Sequence, residues 1–294
     1  MTRVSTAGDA WSTWSAPAKL NLFLHIVGRR ADGYHLLQTA FQLLDWGDEI
    51  SLRVRSDGQI HRHDPLPDIP EAADLVVRAA RALREASGCG LGADIGVVKR
   101  IPLGGGLGGG SSDAATALVG LNALWGCGLD VESLARIGLG LGADVPVFVR
   151  GHSAWAEGIG EALTELALPE PWYVIVDPGA SVPTAELFAA PELTRAAPQL
   201  TIPRFLAGES TVNVFEPVVR TRYPRVASAL DWLGQHGQAR LSGSGGCIFT
   251  AVNSEEAARR IVNEVPAGMR GIAARGVNES PLMTRLRDWQ AKGQ

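Results

Sequence analysis

The stretch Ile101-Pro-Leu-Gly-Gly-Gly-Leu-Gly-Gly-Gly-Ser-Ser-Asp-Ala-Ala115 places six glycines in seven positions and runs straight into a helical pattern. A turn from strand to helix needs one or two glycines, and each further one costs roughly 0.5 to 1 kcal/mol of chain entropy against alanine. Such a run suits a backbone whose N–H groups must come close to an anion. The helix N-terminus behind it adds unpaired donors and a favourable dipole, and Ser111 and Ser112 add hydroxyls. The sequence therefore predicts a phosphate-binding loop over Pro102, Leu103, Gly104, Gly105, Gly106, Leu107, Gly108, Gly109, Gly110, Ser111 and Ser112. It is not a Walker A loop, because it holds no lysine. Gly104, Gly106 and Gly109 satisfy G-x-G-x-x-G, but a dinucleotide fold then needs a second strand ending in an acid about 20 residues later. Here Asp130 falls between two helical patterns. The V-A-I-K, H-R-D and D-F-G set of protein kinases is absent.

Upstream of the loop, Lys19-Leu-Asn-Leu-Phe-Leu-His-Ile26 alternates with period two. That predicts a strand with Leu20, Leu22, Leu24 and Ile26 on a core face and Lys19, Asn21, Phe23 and His25 on the other. Phe41–Trp46 and Glu49–Arg55 flank Gly47-Asp48 and read as a hairpin. Asp74–Ser87 reads as a helix stopped by Gly88, residues 93–99 as a strand, and residues 111–125 as the helix behind the loop. Asp130 can cap the next helix, and Val147–Trp155 reads as a strand. After Pro169 and Pro171 the order is strand (172–176), helices (212–220 and 226–236), strands (239–241 and 247–252), helix (255–264) and strand (271–277), a ferredoxin-like pattern. Residues 190–210 read as a long loop, and residues 1–14 as a loose extension.

At 294 residues, 46% hydrophobic and 20% charged, the chain can bury two domain cores. We divide it at 1–168, the domain of the phosphate-binding loop with residues 1–14 as its extension, and 169–294, the ferredoxin-like domain. A net charge of −4 disfavours nucleic acid as the partner. No apolar run reaches the roughly 20 residues of a membrane span, and no signal-peptide pattern opens the chain, so a cytoplasmic location is expected, with no membrane partner. Three separated cysteines, Cys89, Cys127 and Cys247, argue against a disulfide framework or a zinc site. His61 and His63, in a polar loop, read as solvated rather than metal-binding.

Three ordered motifs, P-A-K-L-N from Pro17, the glycine run, and L-S-G-S-G-G-C-I-F at 241–249, together resemble the GHMP superfamily of small-molecule kinases. Within it, Pro17–Thr39, including G-R-R-A-D-G-Y-H, and L-G-A-D-V-P-V-F-V-R-G at 141–151 resemble the branch that phosphorylates the 2-hydroxyl of a cytidine-diphosphate-linked methylerythritol on the non-mevalonate route to isoprenoid precursors. The resemblance runs from about residue 15 to residue 283 and is loosest from about 190 to 225. It implies a mixed α/β (α+β) fold of two domains, the first like ribosomal protein S5 and the second ferredoxin-like. It also implies ATP as phosphoryl donor and a cytidylylated sugar alcohol as the small-molecule acceptor. Magnesium is expected with ATP; no acidic ligand for it can be named, and Ser112 is the one candidate.

Lys19 is one of only three lysines in the chain, and a compact cation of this kind can sit beside a transferring phosphoryl group. The resemblance pairs it with Asp144 as a catalytic dyad, with Asp144 as base or orienter of the acceptor hydroxyl. Asn21, two residues beyond Lys19 on the strand, shares its face and is a candidate for binding the acceptor or orienting the dyad. Tyr34 and His35 follow a charged turn. In the resembling branch the tyrosine stacks on the cytosine and the histidine hydrogen-bonds it, and Phe188 matches the second aromatic of the sandwich. Thr184 is a further polar contact. Mevalonate, homoserine or a sugar would offer these aromatics no base to stack on, which separates this branch from its sister kinases.

Overall fold

The computed structural model describes residues 10–64 and 70–292. Residues 1–9 of the expected loose extension lie outside the described residues, whereas Ser12–Trp14 already belong to strand β1 (Ser12–Arg29), with Trp14 fully buried. β1 pairs antiparallel along most of its length with β2 (His35–Arg55). These two long strands are the frame of the first half of the molecule.

The expected hairpin at Gly47-Asp48 is not formed, since β2 runs straight through both residues. Gly47 serves a close approach rather than a turn, because a Cβ there would sit 2.0 Å from Ala16 O on β1. Asp48 is buried, and its Oδ1 accepts from the backbone N–H of Arg100 and, at 2.8 Å, of Ile101. Thus a dipeptide that resembles a turn signal instead anchors the entrance of the glycine loop.

β3 (Ile60–Arg62) lies parallel to β4 (Gly92–Val98), which pairs with the second half of β2. Between them α1 (Leu75–Ser87) starts at Asp74, whose side chain accepts from Val76 N, and ends at Gly88 in the left-handed region. The helix behind the glycine loop, α2 (Gly109–Trp125), is buried along most of its length, as befits the central helix of the first core. Asp130 caps α3 (Val131–Leu139) by accepting from Ser133 N.

Val147–Trp155 is not one strand. It divides into α4 (Val145–Arg150), which ends at left-handed Gly151, and β5 (Ala154–Glu157), which pairs with β2 and with β6 (Ala162–Glu165). Val147, Phe148 and Val149 favour a strand, but Pro146 in the first turn favours a helix start and Val145–Val149 are all buried, so packing overrides β propensity.

The remaining elements are β7 (Trp172–Asp177), α5 (Thr184–Ala189), α6 (Ile202–Leu206), α7 (Glu216–Arg222), α8 (Pro224–Leu233), β8 (Arg240–Leu241), β9 (Ile248–Val252), α9 (Glu255–Asn263), β10 (Arg270–Val277) and α10 (Pro281–Lys292). α5 and α6 flank and enter the stretch expected to be loop. The four strands stand in the order β10-β7-β9-β8, all antiparallel. That order places the fourth and first strands side by side, then the third and second, which is the ferredoxin-like arrangement the pattern predicts. Val277 and Gly276 at the end of β10 pair with Leu43 and Leu44 of β2, which joins the two sheets. α10 turns back to the first core, where Leu282, Met283, Leu286 and Trp289 pack.

Candidate active site

β1 carries Lys19 and Asn21 into the middle of the molecule, and the two are 3% exposed each. The alternation then breaks. Asn21 is opposite Phe41 and Leu24 is opposite Thr39, so β1 spends three steps against two and holds a bulge. Beyond it the faces exchange. Leu24 lines the same cavity as Lys19 and Asn21, while Leu22 and His25 line a second cavity and Phe23 packs against Trp155 and Phe205. The face expected for Leu24, Phe23 and His25 from a strict period of two is therefore corrected.

The Lys19 ammonium lies 3.4 Å from Asp144 Oδ2, donates to Gly106 O at 3.0 Å, and also bonds Asn21 Oδ1. Asp144 stands at the start of α4, yet its carboxylate makes no capping bond there. Its side chain is 33% exposed, whereas that of Lys19 is 4% exposed, so the acid faces the cavity and the ammonium forms its floor. Asn21 Nδ2 donates to Thr39 Oγ1 at 3.0 Å, and Asn21 N to Ser242 Oγ at 3.2 Å. Thr39 was not among the candidates; only the pairing of two strands reveals it.

Both glycine segments meet behind the lysine. Ser242 Oγ donates to Gly106 O at 3.0 Å, and Cys247 N donates to Gly105 O at 3.0 Å. A Cβ on Gly106 would lie 2.0 Å from Ser242 O, and one on Gly108 would lie 3.2 Å from Lys19 Cε. Gly104, Gly106 and Gly108 all have positive φ, and α2 opens at Gly108 without a side-chain cap. The first N–H groups of α2 are left to serve a ligand, which fits a phosphate. Ser111 lines the cavity; Ser112 does not, since its hydroxyl is fully buried without a hydrogen-bond partner.

Under the loop, Lys99 bonds both Asp48 and, at 2.7 Å, Asp113 of α2. One ammonium thus ties the strand before the loop to the helix after it. Burial pushes the Asp113 carboxyl up to about 7 against the pull of Lys99, with the Asp48 charge adding to the rise. None of these three residues was expected to matter, because their partnership spans residues 48 to 113.

From the lysine the cavity, about 990 Å³, extends to a wall built by the turn after β1 and by α5. Tyr34 is 62% exposed there. The ring stacked on Phe188 is His35, with centroids 5.0 Å apart and planes at 21°, so His35 and not Tyr34 is the present partner of Phe188. Phe188 also meets Phe215 edge-on at 5.0 Å. Burial, with the charges of Arg29 and Arg195, holds the His35 imidazole below its ordinary value, and its Nε2 has no hydrogen-bond partner. Thr184 Oγ1 lies 2.7 Å from Ser244 Oγ at the rim. Among the described residues no group of three or more His, Cys, Asp or Glu side chains is placed to hold a metal ion, and no helix is long and apolar enough to cross a membrane.

The model of the GHMP kinases N terminal domain matches residues 74–152, and that of the GHMP kinases C terminal domain matches residues 200–271. A 4-diphosphocytidyl-2-C-methyl-D-erythritol kinase of Halorhodospira halophila (strain DSM 244 / SL1) is 58% identical over 279 residues, which are 94% of this chain and 96% of the relative. The chain belongs to this kinase family. A second member, from Xanthomonas axonopodis pv. citri (strain 306), is 57% identical over 93% of each chain. The crystal structure of a 4-(cytidine 5'-diphospho)-2C-methyl-D-erythritol kinase superposes with a TM-score of 0.79 at 34% identity, covering 91% of this chain and 99% of the other. Membership makes the chain an ATP-dependent kinase of GHMP fold, and both matched segments contribute to the cavity, the first with Gly104, Gly106, Gly108, Ser111 and Asp144 and the second with Phe215 and Gly243.

Proposed function

We propose that the chain transfers the γ-phosphoryl group of ATP to the 2-hydroxyl of 4-diphosphocytidyl-2-C-methyl-D-erythritol, with Lys19 and Asp144 at the reacting atoms. The observation that carries this is the 3.4 Å pair of Lys19 and Asp144, set in one cavity with the glycine loop at one end and Tyr34, His35 and Phe188 at the other. A bond forms between the acceptor oxygen and the γ-phosphorus, and the β–γ bridging bond breaks to release ADP. The Asp144 carboxylate orients the hydroxyl and takes its proton, and the buried ammonium of Lys19 stabilises charge on the phosphoryl oxygens. A loose transition state asks mainly for such positioning.

The loop from Pro102 to Ser111 supplies backbone donors to the triphosphate; Ser112 contributes through its main chain, since its hydroxyl points inward. Asn21 and Thr184 contact the acceptor, whose cytosine is held by Tyr34, His35 and Phe188. For a base to reach Phe188 from the open side, the His35 ring swings from its stack and reads the base edge with Nε2. A magnesium ion arriving with the triphosphate would supply charge neutralisation there; Ser112, the one candidate ligand from the sequence, is buried away from the cavity, and no acidic cluster among the described residues is placed to hold it. We place the domain boundary at 168/169 and the protein in the cytoplasm.

The test is a coupled ADP-release assay offering ATP with the cytidylylated acceptor, with mevalonate or with homoserine. Turnover is expected with the first alone. Comparable kcat/KM for either of the other acceptors, which have no base to stack, would overturn the assignment of the aromatic wall.

A further inference from the structure

We propose that Asn213 is a positioning residue for phosphoryl transfer, its side-chain amide holding the Ser242–Gly246 turn against Lys19 and Asn21. This rests on the reading of Lys19 given above. Three of the five residues of that turn are glycines, so it has few side chains with which to fix itself. Gly243, at φ 58°, presents a carbonyl that needs a donor once buried. Asn213 Nδ2 donates to Gly243 O at 2.7 Å and to Leu241 O at 2.9 Å. Its Oδ1 accepts from Phe215 N at 3.0 Å. Both amide hydrogens and the oxygen of a 6% exposed side chain are therefore committed.

Asn213 is itself fixed to the strand that bears the lysine. Leu24 N donates to Val212 O at 3.1 Å, and Val214 N donates to Leu24 O at 2.9 Å. On the far side of the turn, a Cβ at Gly243 would lie 3.0 Å from Asn21 Oδ1 and 3.5 Å from Lys19 Nζ. The backbone at Gly243 is thus the wall behind the ammonium. A shift of that wall passes directly to Lys19 and Asn21, and Ser242 passes it on to Gly106. Through Phe215, which meets Phe188 edge-on, the same amide also braces the aromatic end.

The test uses Asn213→Asp, equal in shape, and Asn213→Ser, with the parent's own turnover of the cytidylylated acceptor measured first. In both variants kcat is expected to fall about ten- to a hundredfold, as for displacement of reacting groups by a fraction of an ångström to 1 Å. The KM for ATP should stay within about threefold, since the loss belongs to the transfer step. Asp should be the worse, because its carboxylate faces two carbonyl oxygens. Hydrogen exchange over residues 241–247 reads the turn without any acceptor, and faster exchange there is expected. A folded variant with kcat within about threefold of the parent, or with a loss carried by KM alone, overturns the proposal. So does parental exchange in the turn, and so does loss of fold in both variants, which would make Asn213 a general core residue. A parent inert toward the acceptor, with exchange responding as expected, overturns the reading of the reaction and the transfer role with it.

Discussion

Gly106→Ala and Gly104→Ala impose one conformational demand in two different surroundings. Both glycines have positive φ, 79° and 69°, so alanine at either meets a left-handed penalty of about 1 to 2 kcal/mol. At Gly104 an added Cβ meets no protein atom within 4 Å, while at Gly106 it would lie 2.0 Å from Ser242 O. Ordinary contact begins at 3.4 Å, so the two backbones must part by roughly 1.4 Å, the gap between those distances. Ser242 cannot retreat alone. Its hydroxyl holds Asn21 N and Gly106 O, and Gly106 O also accepts from the Lys19 ammonium. Because a misplacement of about 1 Å commonly costs about 100-fold in rate, kcat for Gly106→Ala is expected to fall by about that factor. Gly104→Ala should keep kcat within about threefold and show any effect in the KM for ATP. Initial rates of ADP release at saturating substrates give kcat, and thermal melts give the stability change, at about 2 to 4 °C per kcal/mol. Equal kcat in the two variants would refute the account, for then the close backbone contact would have no bearing on transfer.

Asp144→Asn keeps the shape of the side chain and loses its charge, so kcat should fall by a factor of about 100 to 10,000 with ATP binding preserved; turnover within about threefold of the parent would remove Asp144 from the reaction. Phe188→Ala and Tyr34→Ala each delete a stacking face of about 1 to 3 kcal/mol, which should raise the acceptor KM by roughly ten- to a hundredfold with ATP affinity unchanged. An early melt with normal acceptor binding would instead make Phe188 a core residue. For Asp113 the sign follows from a carboxyl raised from 3.8 to about 7 in the fold. The folded protein keeps a proton that the unfolded chain has lost, so this group's contribution is complete below about pH 4 and is lost as pH rises through about 7. Asp113→Asn removes that slope, and its melting temperature should fall less than the parent's between about pH 5 and about pH 8; parallel melting curves would count against it.

The glycine run was legible because its chemistry is local, and Lys19 and Asp144 stood out because each lies in a short motif of the family resemblance. Helices α1, α3 and α9 were legible too, since Asp74, Asp130 and Ser254 cap them with their own side chains. What escaped was decided by partners distant in the chain. Gly47-Asp48 carries the composition of a turn, and only the approach of Ala16 and the start of the loop at Arg100 explain it. The bulge between Asn21 and Leu24 arises from register with β2, which no period in β1 announces. Lys99 with Asp48 and Asp113, and Asn213 with Gly243, join positions 14 to 51 residues apart, so no window of sequence contains both ends of either group at helical or strand spacing.

The return of α10 to the first core has a consequence for how the molecule is made. Trp14 and Trp289 lie 6.1 Å apart, and Arg285 spans both indoles while its Nε donates to Thr13 O at 2.9 Å. Strand β1 is therefore covered by a helix, α10, that is synthesised about 250 residues after it. At roughly 5 to 20 residues per second, the interval between the synthesis of α2 and that of α10 is on the order of ten seconds or more. During that time the indole of Trp14 lacks its lid and the ferredoxin-like half must be produced in full. Until α10 is made, the Trp14 indole lacks the Trp289 and Arg285 side chains that pack on it in the fold, and that patch is a surface on which a chaperone can act.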